Sequence, residues 1–499
     1  MKIARIIAML LLVATCLTMV VACRDDSGEG SGEGTKVTTT AGGSGDSNLD
    51  ANGFIKDKVA DTNYGETINI LCWNQSTKEY DIEELADDAD DVDVALYNRN
   101  RKVEDRLGVE LVYHPIDGGS TTTIESFTGE LHKSTSSNLG TYDAVGAYTR
   151  CAGVSSTKGD YVNLKDVANI DTDMPWWPEE IISTNTVADR LYAATGDIAT
   201  SLIYQMEFLV INQEFAEDLN LDVEEIQQNA LAGNGAAGGW TFDQMLNISA
   251  NAWDDADAIA GKSVGDKFGI IFTGHPLFDM FYMGAGLNYV ASTEEGLSIS
   301  KDYWGPNSLA LLTKFANAFK QNAYFYGSAD VTAGLSLMYT VTGATLAGSL
   351  RNATYTYHIL PAPKLTNDQV DYFTAVQFPH SMYSIPIDAK DRDMSGAVLE
   401  VMASESYRQV TPVLFDKVFL YKLTNAVIDM NMLNLIRDRT TFDLGRTFFE
   451  VLGGDTNGPV RLWRNLVVSG STKIQGHVNQ NLTRWNKILK EDIYAALSK

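Results

Sequence analysis

The sequence predicts an α/β protein with two lobes, each built on a central, mainly parallel sheet flanked by helices. From about residue 66 onward, short apolar segments alternate with amphipathic helical patterns. A helix that connects two consecutive strands produces a parallel sheet covered by helices. The stretch is also long, because about 435 of the 499 residues follow residue 64. That is more than one ordinary hydrophobic core accommodates.

The N-terminal residues have the pattern of a lipoprotein signal peptide, here residues 1–22. Lys2 and Arg5 supply positive charge, residues 6–13 form a short apolar run, and Val-Val-Ala directly precedes Cys23. The run is too short for a helix that stays in a membrane. We therefore expect cleavage before Cys23 and lipidation of its thiol. The alternative is an ordinary secretory signal in which the cysteine is coincidental.

Residues 23–64 predict a flexible leash between the lipid and the folded lobes. Gly, Ser, Thr, Asp and Glu dominate this segment. A chain of this composition buries too little apolar surface to offset its conformational entropy. We therefore expect the leash to be dispensable for folding.

Charge and composition exclude several classes of protein. The chain has 65 acidic and 38 basic residues, a formal net charge of −27. Nucleic-acid binding needs basic patches that neutralise phosphates, so we expect no nucleic-acid partner. No second run of about 18 apolar residues predicts a transmembrane helix. The six histidines follow no metal-binding or catalytic pattern, so we expect no metal, no cofactor and no catalytic residues.

Two cysteines remain for the mature lobes, Cys72 and Cys151. Both follow apolar, strand-like segments, and a disulfide would form only if those strands were neighbours. Two buried free thiols are the favoured interpretation. The two residues lack the spacing of a zinc site.

The first lobe opens with a β-α-β-α-β order. Gly108 is expected to end the first helix, and a parallel sheet places the C-terminal ends of its strands at one edge. Trp73 and Asn74 follow the first strand and Tyr148 ends the third, so we expect these side chains to meet at a ligand-binding edge. The predicted elements are a strand at 66–72, a helix at 95–107, a strand at 109–113, a helix at 120–133 and a strand at 142–148.

The later elements follow the same alternation. Thr241 and Gln244 form a capping box that starts a helix, with Phe242, Met245 and Leu246 on one apolar face. The other predicted elements are strands at 208–211, 355–360 and 382–386 and helices at 396–405, 430–437 and 482–497.

Several local motifs, in this order, resemble the family 1 extracellular solute-binding proteins, the maltose-binding-protein-like receptors of bacterial ABC sugar importers. No single motif is specific, and the resemblance depends on their order along most of the chain after the leash. The matching segments are 99–107 (RNRKVEDRL), 175–177 (PWW), 191–197 (LYAATGD), 343–364 and 405–412 (ESYRQVTP).

The resemblance implies a two-lobed, periplasmic-binding-protein-like fold in which ligand binds between the lobes and a hinge closes them. It places the hinge crossings near residues 200–212, 358–364 and 408–414. The implied division is first lobe 65–205, second lobe 206–358, return to the first lobe 359–410, and second lobe with C-terminal helices 411–499.

The resemblance also implies further ligand residues beside Trp73, Asn74 and Tyr148. Aromatic rings suit the apolar faces of sugars, and carboxylate or guanidinium groups suit their hydroxyls. Each candidate has a structural alternative: the aromatic residues as lobe core, and Asp197 as a turn or cap residue. The additional candidates are Trp176, Trp177, Asp197, Phe281, Tyr282 and Arg351.

Two other patterns have simpler interpretations. Residues 233–238 match GxGxxG, but the preceding stretch is polar and helix-like instead of a strand, so a surface loop is favoured over a dinucleotide site. The acidic residues at 87–93 lack the glycine of a calcium loop, and they precede a helix whose positive end they favour.

Together these observations predict a lipid-anchored, non-enzymatic receptor that captures a small polar solute, a sugar or oligosaccharide, for ABC permease subunits. We expect a monomer on the outer face of the bacterial cytoplasmic membrane, extracellular or periplasmic. Acidic pairs are plentiful, so a secreted glycoside-active enzyme stays open as an alternative. A receptor for peptides or for a signalling partner is a third possibility.

Overall fold

Two β-sheets organise the chain in the computed structural model. The model describes residues 48–50, 53–74, 79–80, 89–256, 259, 261–293, 295–420 and 426–499. The predicted signal peptide, Cys23 and most of the leash lie outside these residues. The chain divides into two units after Gly53, and the fold below is that of the second unit, Phe54–Lys499. In the described residues, no helix has the length and apolar character needed to cross a membrane.

The first sheet has four strands in the order β11-β3-β1-β2. β1 pairs in parallel with both β2 and β3, and β11 pairs antiparallel with β3. The predicted β-α-β-α-β order is therefore confirmed, with one antiparallel strand added from far along the chain. The strands are β1 Glu66–Trp73, β2 Val109–Ile116, β3 Ala144–Tyr148 and β11 Ser381–Ser384.

The second sheet has five strands in the order β10-β4-β9-β5-β8. It is mixed, because β5 pairs in parallel with β8 and β9, whereas β4 pairs antiparallel with β9 and β10. A separate hairpin joins β6 to β7. The strands are β4 Glu207–Asn212, β5 Phe268–Phe272, β6 Val290–Thr293, β7 Gly296–Ile299, β8 Tyr324–Tyr326, β9 Ser336–Thr342 and β10 Tyr357–Leu360.

Helices cover both sheets, and the predicted α/β fold class is confirmed. They are α1 Asp91–Leu107, α2 Ile124–Ser137, α3 Thr149–Lys158, α4 Glu179–Asn185, α5 Thr200–Tyr204, α6 Gln213–Asp218, α7 Val223–Ala232, α8 Phe242–Ser249, α9 Asp279–Gly284, α10 Pro306–Ala318, α11 Gly343–Ala347, α12 Arg392–Glu405, α13 Thr411–Val413, α14 Ala426–Asp438, α15 Leu444–Thr447, α16 Gly454–Asn457, α17 Pro459–Val468, α18 Ile474–Ile488 and α19 Ala495–Leu497. Short 3₁₀ turns occur at Leu164–Asp166, His275–Phe278, Lys301–Trp304 and Ser349–Asn352, and π-helical turns at Ser406–Val410, Leu414–Phe419 and Leu489–Tyr494.

Helix α1 begins earlier than predicted because acidic residues form its N-terminal cap. The Asp90 carboxylate accepts a hydrogen bond from the Asp93 amide, and the Asp90 amide donates to the Asp93 carboxylate. This is a capping box built from two aspartates. At the other end Gly108 adopts φ +58°, and a Cβ atom there would meet Asn63 within 2.1 Å. Glycine is therefore required at this turn.

The glycine-rich segment at 233–238 is a loop that precedes α8, as predicted. The Thr241–Gln244 capping box is also present. The loop is held by the ammonium group of Lys364, which donates to the carbonyl oxygens of Gly233, Ala236 and Gly238 at 2.5, 2.7 and 3.1 Å. A buried lysine of the second lobe thus fixes the loop, and no nucleotide is needed to explain its glycines.

Residues 54–64 pack on the first lobe, which differs from the predicted leash. The backbone amides of Thr62 and Tyr64 donate to the last carbonyls of α1. Asp57 is buried and forms a bidentate ion pair with Arg106, at 3.0 and 2.9 Å. The composition of this segment is polar, but its carboxylates find buried cationic partners, which a composition argument does not detect. We call residues 54–64 the strap.

Three chain crossings connect the two sheets. The first and second lie side by side. The Glu207 amide donates to the Ala375 carbonyl at 2.9 Å, and the Gln377 amide donates to the Gln205 carbonyl at 2.8 Å. The third is helical and runs from α12, which packs against α1, to the π-helical turn Leu414–Phe419, which contacts α11.

The second crossing comes later than the predicted 358–364. β10 still belongs to the second sheet, and Lys364 still binds the loop before α8. The chain does not pair with the first crossing until it reaches Ala375 and Gln377. The prediction followed the proline-rich motif after Leu360, which is a turn within the second lobe.

Both cysteines are free and buried, as the sequence favoured. They lie on different elements of the first lobe, Cys72 on β1 and Cys151 on α3. The Cys151 thiol donates to the Gly118 carbonyl at 3.3 Å. Burial raises the pKa of each thiol to about 12, so both are protonated at neutral pH.

Candidate functional site

The C-terminal edge of the first sheet brings two predicted aromatic residues together. Trp73 ends β1 and Tyr148 ends β3, and their ring centroids lie 5.1 Å apart. The Trp73 indole donates to the Ser381 hydroxyl of β11 at 2.8 Å. The rings are nearly buried, with 4% and 3% of each residue exposed. The parallel-strand rule therefore locates both residues at one edge, where they pack on each other.

Two polar residues flank this pair of rings. Asn74 is exposed and donates to the Asp117 carboxylate at 2.8 Å. Arg150, in the first turn of α3, forms ion pairs with Glu450 and with Asp455, the latter at 3.2 Å. The edge of the first sheet is thus joined to the C-terminal part of the chain by a charged contact.

A small cavity lies where this edge, the second crossing and the C-terminal part meet. It is called here the interlobe cavity. Only about 10 Å³ is open to the centre of a water-sized sphere, which is room for roughly one water molecule. Ligand pockets are usually about 300–1,000 Å³, so the cavity in this structure is too small to hold a sugar. Its walls include Thr149, Met283, Phe378, His380, Asp443 and Arg446.

Two titratable side chains in the cavity wall have shifted pKa values. Burial lowers the pKa of His380 to about 4, so its ring is neutral at pH 7. Burial raises the pKa of Asp443 to about 6, although backbone N–H groups that bind its carboxylate lower it. Among those donors are the amides of Tyr289 at 2.8 Å and Gly445 at 2.7 Å. The carboxylate is thus ionised for the most part at neutral pH.

Three guanidinium groups surround the ring of Phe378 beside the cavity. Arg150, Arg446 and Arg464 lie 5.6, 4.8 and 5.2 Å from its centroid, within the range of cation–π attraction. A single aromatic residue of the second crossing therefore orders cations from both lobes. The contact helps to fix the positions of these cations.

Two of these arginines share one buried carboxylate as an ion-pair partner. Asp279 accepts from Arg464 at 2.7 Å and pairs with Arg446 at 3.1 Å. Burial opposes the ionisation of Asp279, but these two cations outweigh it and hold its pKa below the ordinary value. Nearby Glu207 behaves oppositely, since burial raises its pKa to about 8 against the pull of Arg446. Glu207 is therefore mostly neutral at pH 7.

Trp176 and Trp177 lie inside the first lobe, away from the interlobe cavity. Their indole N–H groups donate to the two carboxylate oxygens of Glu400 on α12, at 3.0 and 2.8 Å. Both side chains are buried. The structural alternative, lobe core, describes this placement, and neither ring offers a face to a solute here.

Phe281 and Tyr282 are also core residues in this structure. Phe281 makes edge-to-face contacts with rings that include Phe242 and Phe315. Tyr282 stacks on Tyr289 with ring centroids 4.1 Å apart. The apolar face of α9 explains both positions.

Asp197 and Arg351 form structural contacts as well. The Asp197 carboxylate accepts from Arg437 at 2.8 Å and from the Thr411 hydroxyl at 2.6 Å. It therefore ties the end of the first lobe to the helices that follow the third crossing. Arg351 donates to the Lys417 carbonyl at 3.5 Å. Neither side chain lines the interlobe cavity.

Sequence reasoning missed His380, Asp443 and Arg446. They come from segments that are far apart in the chain and carry no recognisable motif. Position relative to β11 is the one signal that could have located His380. Ser381 pairs with Tyr148 in the structure, so the residue before β11 lies at the same edge as Tyr148. Across the described residues, no group of three or more His, Cys, Asp or Glu side chains has the arrangement of a metal site.

Comparison with known proteins supports the predicted fold, although sequence identity to the matching structures is low. No family model matches the chain, and a search of curated proteins gives no match. Solved structures, in contrast, match over nearly the whole folded part. All of the matches below have low sequence identity, so they bear on the fold alone.

Three solved structures illustrate this similarity. A cyclic α-maltosyl-1,6-maltose binding protein from Arthrobacter globiformis has a TM-score of 0.55 at 9% identity, over 87% of this chain and 99% of the other. UgpB from Mycobacterium tuberculosis, in complex with glycerophosphocholine, has 0.53 at 15% identity, over 80% and 96%. A family 1 extracellular solute-binding protein from Alicyclobacillus acidocaldarius has 0.50 at 11% identity, over 85% and 98%. The resemblance drawn from the sequence motifs is thereby confirmed for the two-lobed fold.

Proposed function

We propose that this chain, which has the fold of the family 1 extracellular solute-binding proteins, is a receptor that delivers a solute to an ABC permease. The solute is small and polar, and we propose a carbohydrate. It binds between the lobes, and lobe closure presents the loaded receptor to the permease subunits. The structural neighbours are binding proteins and not enzymes, which supports a non-catalytic role.

The interlobe cavity is the observation that carries this proposal. It lies beside the paired crossings, so relative rotation of the lobes would open and close it. Its walls combine residues of the first-sheet edge with residues of the second lobe, such as Thr149 and Met283. A site of this kind gains its full set of contacts only in the closed state, which couples binding to closure.

Of the residues predicted from the sequence, we keep Trp73, Asn74 and Tyr148 in the proposed site. They occupy the first-sheet edge next to the cavity, and opening of the lobes would give a solute access to the ring pair. Stacking on such rings supplies affinity through buried apolar area. Asn74 is exposed and offers an amide to hydroxyl groups.

Membrane attachment through Cys23 is part of the proposal. Cys23→Ser should give a folded protein that is released to the medium or is held only by its uncleaved signal. Fractionation of cells that produce each form would test this. Sedimentation of a signal-free Cys23→Ser variant with membranes would contradict the anchor.

A ligand screen by thermal shift tests the receptor role, since a ligand that binds only the native state raises the melting temperature. The panel should contain neutral disaccharides, oligosaccharides, sugar acids, sugar phosphates, glycerophosphocholine and short peptides. Calorimetry on Trp73→Ala and Tyr148→Ala should then show at least about tenfold weaker binding of the best carbohydrate hit. Arg351→Ala, at a residue outside the cavity, is the matched control.

Three outcomes would contradict the proposal or its site. Turnover of an oligosaccharide without stoichiometric binding would favour the glycoside-active enzyme. A hit confined to peptides would favour the peptide receptor. Unchanged affinity in both ring variants would place the site elsewhere in the cleft.

A further inference from the structure

His380 has one ring nitrogen without a protein partner. Its Nδ1 bonds the Gln377 carbonyl at 2.7 Å, and a carbonyl oxygen only accepts, so Nδ1 carries the hydrogen. Nε2 is then a lone-pair acceptor in the neutral ring. The residue is 3% exposed, and among the described residues no group donates to this nitrogen.

The charged groups of the cavity wall are already engaged. Arg446 donates to the Val376 carbonyl at 2.5 Å and pairs with Asp279. The Asp443 carboxylate accepts three backbone hydrogen bonds. Of the described residues that line the cavity, only His380 has a buried side-chain nitrogen or oxygen with no hydrogen-bond partner.

This pattern of satisfied and unsatisfied groups restricts the chemistry of a ligand. The open position is an acceptor, so it recognises a hydrogen-bond donor. A carboxylate or phosphate group offers acceptors only and would leave Nε2 unpaired. The cations of Arg446 and Arg464 are matched by the carboxylates of Asp279 and Asp443, so an added anion or cation would be an uncompensated charge in a closed, low-dielectric space.

We propose that His380 is a specificity-determining residue that accepts a hydrogen bond from a hydroxyl group of an uncharged polyol, and that it selects against ligands whose contacting group is anionic. This inference rests on the proposed function. It adds a ligand-binding residue and a preference for neutral over anionic ligands. Ligand affinity increases because the ligand hydroxyl pairs with a buried acceptor that has no partner in the ligand-free protein.

The test compares His380→Leu with His380→Gln in the purified protein without its signal peptide. The probes are maltose, cellobiose, trehalose and xylobiose, with glucuronate and glucose 6-phosphate as charged counterparts. Wild type should bind at least one neutral disaccharide and neither charged sugar. For that disaccharide, His380→Leu should weaken binding about tenfold or more. His380→Gln should stay within about threefold, because its amide oxygen is an acceptor at a similar distance from the backbone.

A stability measurement separates recognition from folding. Leucine removes the unpaired acceptor Nε2 but also the Nδ1–H donor of the Gln377 carbonyl, so the ligand-free melting temperature of His380→Leu should fall by a few degrees. His132→Leu, at a residue of α2 that pairs with Asp160, is the matched control for the loss of a histidine hydrogen bond and should leave affinity unchanged. If His380→Gln loses as much affinity as His380→Leu, the ring has a structural role and the inference is overturned.

The remaining outcomes distinguish the two proposals. If wild type binds a neutral disaccharide and His380→Leu binds it equally well, the role of His380 is wrong and the receptor proposal stands. Preferential binding of a charged sugar by wild type would likewise overturn the selectivity. If wild type binds no probe of either class, the carbohydrate proposal fails, and this inference fails with it.

Discussion

Two buried carboxylates beside α12 show how the charge of the partner, and not burial alone, sets the ionisation of an acidic residue. Asp57 of the strap is held by Arg106 and also contacts Arg408 and Ser404. Glu400 is held by two neutral indole donors. Both side chains are almost completely shielded from solvent.

Their pKa values move in opposite directions. Burial tends to raise the pKa of Asp57, but hydrogen bonds from Arg106 and Ser404 and the nearby cations lower it to about 2. Burial raises the pKa of Glu400 to about 7, and the N–H donors of Trp177 and Trp176 offset this only in part. Neutral donors stabilise a carboxylate less than cations do, because they supply no net charge.

The largest expected effect is that of Asp57→Asn. Removing the carboxylate deletes the buried counter-ion that Arg106 and Arg408 share and leaves Glu405, at 3.8 and 2.9 Å, as their remaining buried partner. Breaking a buried ion pair typically costs about 3–5 kcal/mol. We therefore expect the free energy of unfolding to fall by about 3 kcal/mol at pH 7, measured by urea denaturation. Asp61→Asn is the matched control, since Asp61 pairs with the same Arg106 but is 81% exposed, and it should cost less than about 1 kcal/mol. Equal effects of the two variants would mean that the strap is not packed as described.

The second prediction concerns the pH dependence of stability at Glu400. Its folded pKa, about 7, lies above the ordinary 4.5, so between these pH values the folded state binds the proton and the unfolded state does not. Stability from this group is present in acid and is lost as the pH rises from about 4.5 to 7, by about 3 kcal/mol. Glu400→Gln cannot ionise and should lack this loss.

The measurement is the difference between wild type and Glu400→Gln in urea denaturation across pH 4 to 8. Taking the difference removes the contributions of other titrating groups. If the free energy of unfolding changes with pH in the same way in wild type and Glu400→Gln, the raised pKa of Glu400 is contradicted. Asp57 should give the opposite sign, with stability lost as the pH falls from about 4 towards 2.

A smaller effect is expected when one indole donor is removed. Trp177→Phe deletes the 2.8 Å hydrogen bond to Glu400 and also removes three buried ring atoms. The pKa of Glu400 should rise further above 7, and stability at pH 6 should fall by about 2 kcal/mol. The pH dependence of the fluorescence of the remaining Trp176 reports the carboxyl titration. An unchanged midpoint would show that the indole contributes packing only.

The smallest expected effect is that of Lys58→Ala. Lys58 lies on the exposed side of the strap and pairs with Asp171 at 2.5 Å. Water screens such a pair, so we expect no measurable change in the urea midpoint. A clear destabilisation would mean that the strap depends on its surface contacts as much as on Asp57.

The first lobe illustrates what local sequence patterns determine. Alternating apolar residues predicted β1 and β2, and Gly108 predicted the end of α1, because strand period and helix caps are local properties. The strand ends Trp73 and Tyr148 could also be located at one edge, since parallel pairing determines that edge. These predictions required no knowledge of distant contacts.

The rest depended on partners far along the chain. Whether Trp176 binds solute or packs in the core is decided by Glu400, more than two hundred residues later. The polar strap resembled the leash because Asp57 is buried only through Arg106 and Arg408. His380 and Asp443 carry no local pattern, and they meet only because the second crossing and the C-terminal part fold over the first-sheet edge.

The protonated, buried state of Cys72 and Cys151 has a practical consequence for spectroscopy. Maleimide dyes react with thiolates, which neither residue supplies near neutral pH. A chain that starts after Cys23 can therefore carry engineered dye sites, such as Val94→Cys on α1 and Leu309→Cys on α10, both at solvent-exposed positions. Because these helices pack on different sheets, energy transfer between the two dyes would test the proposed lobe closure in single molecules, with the native cysteines left in place.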